Sequence, residues 1–176
     1  MASRPLSDSI QAPAMDLPWW LIVLGCVYLA YILLIEGYSI FRIHTNLEYR
    51  DKVREVYADK AWLFPRGRRQ VAMFYGIAVI VGIVEELFYR GFLTRYLMDP
   101  PFGFSWPWAA VILGVVFGVG HFPQGWRAVI SISLHGLLFW FLYAWTGSIW
   151  PAVVLHVFYD ARIAYVSNVI ANKSRL

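Results

Sequence analysis

Acidic, basic and histidine side chains lie within the most apolar stretches of this chain, where they could do chemistry. An ionisable side chain near the centre of a bilayer costs about 2.5 kcal/mol or more, so such residues pair with one another or serve a function. Several of them together indicate a functional site. They are Glu85, Glu86, Arg90, His121, His135, His156 and Asp160.

The first group of these residues is Glu85, Glu86 and Arg90. Glu86 and Arg90 are four residues apart, so they can form an ion pair along one face of a helix. That pair could belong to an active site, or it could only neutralise two charges. Glu85 has no charged partner in its own helix, although Tyr89 could donate a hydrogen bond to it. A carboxylate in such a setting can serve as a general base.

The second group consists of histidines and one aspartate. His156 and Asp160 are four residues apart, so the aspartate can fix the imidazole tautomer or accept its proton. His121 ends a short apolar segment just before Pro123. A lone histidine in an apolar helix is more often a hydrogen-bonded packing residue, and His135 fits that description. Three segments that each bring a glutamate or a histidine favour a shared site.

These residues lie in segments whose composition indicates membrane helices. Of the 176 residues, 60% are hydrophobic and 15% are charged, whereas soluble domains are about half apolar and about a quarter charged. A helix needs about 20 apolar residues to cross a bilayer. The sequence predicts an all-α polytopic transmembrane bundle with a polar tail at 1–16 and a single membrane domain at 17–176. Five hydrophobic segments are expected, at 17–35, 71–97, 108–122, 128–145 and 151–170.

A basic segment separates the first two hydrophobic segments. Residues 42–69 hold eight of the fifteen lysines and arginines, mixed with acidic residues at helical spacing. This pattern predicts an amphipathic helix on the membrane surface. The positive-inside rule places it in the cytoplasm, together with Arg127, Lys173 and Arg175. Headgroup attraction and topology explain the net charge of +4 more simply than nucleic acid binding does.

Small residues mark the third hydrophobic segment. Gly114 and Gly118 are four residues apart, and Gly120 follows them. Glycines at this spacing let the backbones of two membrane helices approach closely. We therefore predict that the third segment packs tightly against a neighbouring helix.

Three motifs in these segments resemble those of a known family. Residues 85–91 read EELFYRG and resemble the EExxxR motif of the CAAX-protease and bacteriocin-processing family, also called CPBP or Abi. Residues 117–121, FGVGH, resemble its FxxxH motif, and residues 156–160, HVFYD, resemble its HxxxN/D motif. The motifs stand in the family's order within residues 71–170. The resemblance implies an all-helical membrane core that cleaves peptide bonds, similar to type II CAAX prenyl endopeptidases.

The resemblance also implies a role for each motif. Glu85 and His121 would activate a water, and His156 and Asp160 would hold the carbonyl oxygen as it becomes negative. Hydrolysis needs both a base and oxyanion donors. The third motif ends in Asp160, where the prenyl-protein proteases typically have asparagine. An ionised aspartate cannot donate a hydrogen bond, so Asp160 would have to be protonated, or it would orient His156 instead.

The resemblance further implies that Glu86 and Arg90 support the site. No cofactor is expected. The expected partners are the lipid bilayer and a membrane-associated protein or peptide substrate, lipidated or anchored at its C-terminus, and not nucleic acid. The expected location is the inner membrane of a bacterium.

The depths of the candidate residues conflict with simple crossing helices. Counting the rise along each segment places Glu85 and His156 about 8 Å from the outer face, and His121 closer to the inner face. The three residues can meet only if a helix is broken, tilted or displaced. We therefore expect residues 91–107 to fold back into the protein.

Other functions remain open at this level. His121, His156 and a carboxylate could bind a catalytic zinc ion, although the sequence lacks the HExxH motif. A non-catalytic membrane binding or immunity protein could use the same polar cluster as a binding site. Buried acids and histidines also serve proton relays in transporters, but the paired hydrophobic repeats typical of transporters are missing here.

Overall fold

The computed structural model describes residues 11–13, 15–59, 64–65 and 67–172. Parts of three predicted polar segments lie outside these residues. They are most of the N-terminal tail, Lys60 and Arg66 of the basic segment, and Lys173 and Arg175 near the C-terminus.

The fold is all-α, as predicted. Among the described residues no β-strand forms, apart from one isolated bridge between Gln11 and Ser148. The elements in chain order are α1 (Trp19–Thr45), α2 (Leu47–Asp59), α3 (Gly67–Glu86), a π-helical segment (Leu87–Leu93), α4 (Thr94–Met98), α5 (Trp106–Val119), a 3₁₀ turn (Phe122–Gln124), α6 (Trp126–Thr146) and α7 (Trp150–Asn172).

All five predicted hydrophobic segments are helical, but they differ in length. Four helical stretches are long and apolar enough to cross a membrane: Trp19–Thr45, Gly67–Met98, Trp126–Thr146 and Trp150–Ala171. Helix α5 has 14 residues and spans about 21 Å, which is less than the roughly 30 Å hydrocarbon core. The third predicted segment is therefore too short to cross the hydrocarbon core as a straight helix, unlike the other four.

Proline and glycine set the limits of α5. Pro107 lies in its first turn, where backbone N–H groups have no hydrogen-bond partner within the helix, so the missing N–H of proline costs nothing. Gly120 caps its C-terminal end, and Pro123 follows in the 3₁₀ turn. The helix accordingly begins before the predicted start at 108 and ends before the predicted end at 122.

The described chain forms two compact units. The first contains the described residues up to 28 together with Gly82–His156, and the second contains Leu29–Val81 and the described residues from 157 onward. In the first unit, Ala110 and Leu113 of α5 pack against Trp140 of α6. The indole of Trp106 stacks on that of Trp140 with ring centroids 5.9 Å apart. This core holds α5 and α6 together.

Glycines allow α5 and α6 to approach closely. A Cβ atom added to Gly114 would lie 2.9 Å from Cγ of Leu137, and one added to Gly118 would lie 2.5 Å from the carbonyl oxygen of Val129. Both distances are too short for real side-chain contacts. The predicted close packing at Gly114 and Gly118 is therefore confirmed.

Hydrogen bonds hold the N-terminal segment against the first unit. The carbonyl oxygen of Gln11 accepts hydrogen bonds from Arg95 at 2.9 Å and from the Tyr143 hydroxyl at 2.8 Å. The backbone N–H of Ala12 donates to the carbonyl of Gly147 at 3.0 Å. The described end of the predicted tail is thus bound to the helical core.

The second unit has its own core. Ile43 of α1 packs with Val166 and Ile170 of α7, and Tyr49 of α2 covers them. Arg54 of α2 donates a hydrogen bond to the carbonyl oxygen of Ile170 at 3.3 Å. Helix α2 forms within the predicted basic segment, and it packs one face against α1 and α7.

Candidate active site

A π-helical segment follows α3 at the first candidate motif. The backbone N–H of Thr94 bonds to the carbonyl of Tyr89, five residues earlier. The hydroxyl of Thr94 donates to the same carbonyl at 3.1 Å, and Thr94 is fully buried. Widened turns of this kind are rare and frequently lie at functional sites. This one carries Arg90 and begins directly after Glu86.

Glu86 and Arg90 form a buried ion pair. Their side chains are 0% and 3% exposed, and Nη1 of Arg90 donates to Oε1 of Glu86 at 2.9 Å. Nη2 of Arg90 donates to the carbonyl oxygen of Gly136 in α6, also at 2.9 Å. The predicted pair is confirmed, and its cation also bonds to α6.

Aromatic rings surround the Arg90 guanidinium. Its central carbon lies 4.8 Å from the ring centroid of Phe117 in α5 and 5.2 Å from that of Phe139 in α6. A guanidinium over an aromatic face is stabilised by the ring quadrupole, most strongly away from water. Arg90 therefore links the π-helical segment to both α5 and α6.

His156 of α7 bonds to the same carboxylate as Arg90. Its Nδ1 lies 2.8 Å from Oε1 of Glu86, and its Nε2 lies 3.7 Å from Oε2 of Glu85. Since an ionised carboxylate only accepts hydrogen bonds, Nδ1 carries the proton. This contact with Glu86 was not predicted, because a pairing across 70 residues leaves no trace in local spacing.

The imidazole of His156 is held between two rings. It stacks on Phe139 with centroids 5.1 Å apart and an interplanar angle of 21°. It meets Phe117 edge-on, with centroids 5.7 Å apart. His156 is 5% exposed, and these two ring contacts fix the orientation of its imidazole. Phe139 carries no motif signal, and sequence reasoning missed it.

Glu85 has a different environment from its neighbour Glu86. Its side chain is 31% exposed. Its Oε2 atom is nevertheless buried and makes no hydrogen bond within the described part of the chain. Buried carboxylate oxygens nearly always have a hydrogen-bond partner, protein or water. The unbonded oxygen of Glu85 thus lies 3.7 Å from Nε2 of His156.

His121 lies just beyond the end of α5. Its Nδ1 donates to the carbonyl oxygen of Phe117 at 2.8 Å, so in the neutral ring Nε2 is left as an acceptor. The His121 ring lies 5.1 Å from the ring of Phe117, which also contacts His156. One phenylalanine thus lies between the two histidines.

The depth conflict disappears because α3, the π-helical segment and α4 run on to Met98. The chain then turns tightly, with Phe104 N–H bonded to the carbonyl of Leu97 at 2.9 Å. Counted from this turn, Glu85 and His121 lie about 21 Å and about 24 Å along their helices. They are therefore at similar levels. The expectation that residues 91–107 fold back is wrong for 91–98, which remain helical.

The comparison with protein families decides the class of this protein. Residues 67–162 match the family described as Rce1-like, type II CAAX prenyl endopeptidase. The chain belongs to this family. The match covers more than half of the chain and includes all three motifs. It confirms the resemblance found in the sequence. Neither the curated proteins nor the solved structures include a match to the chain.

Membership of the Rce1-like family implies a CAAX-type intramembrane endopeptidase. The protein is an integral membrane protein, with four helical stretches able to cross a bilayer. The acidic pair, Arg90 and the histidines His121 and His156 all lie inside the matched region.

Two candidate residues remain, Asp160 and His135. Asp160 is one turn beyond His156 on α7 and belongs to the second unit. In the first unit, Nδ1 of His135 donates to the carbonyl of Ser131 at 2.6 Å, which agrees with the packing role favoured for it.

The suggested zinc ligands do not form a recognisable metal site. Where the structure describes the chain, no three histidine, cysteine, aspartate or glutamate side chains are grouped so that they could hold an ion. His121, His156 and a carboxylate do not meet this requirement.

Proposed function

We propose that this Rce1-like protein hydrolyses a peptide bond of a membrane-associated protein with a water activated by Glu85. The observation that carries the proposal is the contrast between two adjacent carboxylates. Glu86 is sealed and bonded to Arg90 and His156. Glu85 is 31% exposed and its Oε2 atom lies 3.7 Å from Nε2 of His156. Each glutamate has one oxygen without a hydrogen bond to the described chain, so the contrast lies in their exposure. One glutamate builds the site, and the other is available for chemistry.

Glu85 and His121 activate the water in this proposal. The carboxylate of Glu85 accepts a proton as the water oxygen attacks the scissile carbonyl. The Nε2 atom of His121 accepts the second hydrogen bond of the same water, because Nδ1 is already bonded to the Phe117 carbonyl. Fixing both hydrogens of a water aims its lone pair, which lowers the entropic part of the barrier.

His156 stabilises the developing oxyanion. With Nδ1–H bonded to Glu86, the ring turns Nε2 toward the reacting groups. When Nε2 carries a proton it donates to the carbonyl oxygen, and the Glu86 carboxylate stabilises the positive ring. Asp160, the last residue of the third motif, can join as a second donor only in its protonated form.

The substrate proposed here is a protein with a prenylated CAAX terminus or another lipidated or C-terminally anchored segment. Such a segment reaches a site within the membrane because its anchor already lies in the bilayer. The proposed host membrane is the inner membrane of a bacterium. No cofactor takes part in this mechanism.

The test is cleavage of a peptide that ends in a farnesylated CAAX sequence, measured with the purified protein in liposomes. Glu85→Gln should lower the rate by about 10²- to 10⁴-fold, the usual contribution of a general base. Its melting temperature should stay unchanged, because the side chain is 31% exposed and its buried oxygen, Oε2, makes no hydrogen bond to the described chain. Glu48→Gln is the matched control, since that side chain is 77% exposed in α2.

Three outcomes would change the proposal. Wild-type cleavage by a folded Glu85→Gln variant would remove Glu85 from the mechanism. Loss of cleavage with a chelator, restored by zinc, would replace it with a metallopeptidase. Tight binding of the peptide without cleavage, retained in Glu85→Gln, would favour a non-catalytic binding or immunity protein.

A further inference from the structure

The second unit contains a cavity that none of the candidate catalytic residues lines. It has a volume of about 280 Å³ and lies among α1, α2 and α7. Four aliphatic side chains form part of its wall. The polar side chains that line it are Ser39, Tyr49, Lys52, Tyr57 and Arg162.

Hydrogen bonds join the polar groups on one side of this cavity. Arg162 of α7 forms an ion pair with Glu36 of α1. It also donates to the hydroxyl of Ser39 at 3.4 Å, and that hydroxyl bonds to the hydroxyl of Tyr49 at 3.1 Å. The cavity therefore has a fixed cation and two ordered hydroxyl groups, and the charge of Glu36 is already neutralised.

Tyr57 adds a third hydroxyl group. Burial raises the pKa of Tyr57 to about 12, with smaller opposing effects from Arg162 and Glu36. The phenol therefore keeps its proton at neutral pH and can donate a hydrogen bond. Its ring stacks on Phe64 with centroids 3.9 Å apart, which fixes the direction of the hydroxyl.

Lys52 supplies a second cation at the rim. Its side chain is 70% exposed and bonds to Glu48 at 2.7 Å, a pair in which Glu48 is 77% exposed. Exposed ion pairs of this kind contribute little to protein stability. The ammonium group can therefore leave Glu48 and bind an anion in the cavity at little cost in free energy.

We propose that this cavity binds the phosphate group of an anionic phospholipid. The Lys52 ammonium group, the Arg162 guanidinium held by Glu36 and the hydroxyl groups provide donors for a compact anion, whereas the aliphatic walls suit the carbon atoms beside it. The volume is near the lower limit of small-molecule sites, about 300 Å³, so it holds a headgroup and leaves the acyl chains outside.

The surrounding elements favour a lipid over a soluble phosphate ester. Helices α1 and α7 are long and apolar enough to cross a membrane, and α2 exposes its charged residues. The cavity therefore lies where apolar and polar segments meet, which is the level of lipid headgroups. Basic segments beside membrane helices attract anionic lipids.

The test measures lipid binding to the full chain in detergent micelles by native mass spectrometry. Phosphatidylglycerol should bind about tenfold more tightly than phosphatidylcholine. Tyr57→Phe and Lys52→Gln should each weaken phosphatidylglycerol binding about ten- to a hundredfold, the effect of losing one hydrogen bond to a charged group. Tyr75→Phe removes the same phenol hydroxyl, and Arg68→Gln removes another positive charge, from exposed positions of α3 outside the cavity. They should change phosphatidylglycerol binding by less than about twofold, since exposed charges outside the cavity contribute little to the interaction energy.

Several results would overturn the proposal. An equal loss in Lys52→Gln and Arg68→Gln would indicate diffuse surface charge. Unchanged binding by Tyr57→Phe would show that the cavity does not hold the headgroup. Inorganic phosphate that binds as tightly and with the same sensitivity to both cavity variants would make a soluble phosphate the ligand. Melting temperatures of all four variants should match the wild type, because none removes a buried contact of the core.

Discussion

At the scale of single residues, two adjacent glutamates have opposite surroundings. Successive side chains on a helix point about 100° apart, so Glu86 faces the core while Glu85 lies at its edge. Glu86 accepts hydrogen bonds from Arg90 and His156 through one oxygen. The pairing with Arg90 follows from spacing of four residues. The pairing with His156 depends on how α7 packs, and this information is not local.

Arg90 contacts three elements of the site. Its planar group bonds to Glu86 and to the Gly136 carbonyl while contacting two aromatic rings. The compact ammonium group of lysine cannot reach both Glu86 and the Gly136 carbonyl in this geometry. Arg90→Lys should therefore destabilise the protein by about 1–3 kcal/mol, the cost of leaving a buried group unbonded. Thermal unfolding in detergent would show this as a lower melting temperature.

The matched control for Arg90→Lys is Arg127→Lys, at an exposed position in the first turn of α6. It should leave the melting temperature unchanged. Equal stability of the two variants would mean that the second bond of Arg90, to Gly136, contributes nothing.

At the scale of elements, the sequence predicted helix positions better than helix lengths. Hydrophobic runs and prolines located every apolar helix, and the spacing of Gly114 and Gly118 predicted close packing. The π-helical turn at Leu87–Leu93 was not foreseen, because its residues fit an α-helical pattern equally well. The shortness of the third segment, in contrast, was evident from its sequence.

Close packing of α5 against α6 can be tested at its glycines. A methyl group at Gly118 would press on the backbone of α6, 2.5 Å from the Val129 carbonyl oxygen. Gly118→Ala should therefore destabilise the protein by about 1–3 kcal/mol, as overpacking usually does. At Gly120 the added atom would lie 3.4 Å from the nearest carbonyl oxygen, so Gly120→Ala should change stability by less than about 0.5 kcal/mol.

The measurement is thermal unfolding of both glycine variants in detergent, followed by tryptophan fluorescence. The two substitutions add the same methyl group and differ only in what it meets. A Gly118→Ala variant as stable as Gly120→Ala would show that α5 and α6 can separate freely.

At the scale of the whole molecule, composition was enough to predict a membrane protein. The structure agrees, because only 6% of the most apolar stretch of α1 is buried within the protein. Exposed large side chains such as Val23, Val27 and Leu34 are then covered by lipid. Composition could not predict which side chains meet, since that depends on packing between helices distant in sequence. The motifs supplied part of that information through the family.

In the proposed mechanism Glu85 serves as the base of a membrane peptidase. The most direct measurement compares the protein termini in membranes from cells that carry the wild type, Glu85→Gln or the control Glu48→Gln at equal abundance. New termini should be present with the wild type and with Glu48→Gln, and absent with Glu85→Gln. The same set of termini with all three proteins would contradict the claim.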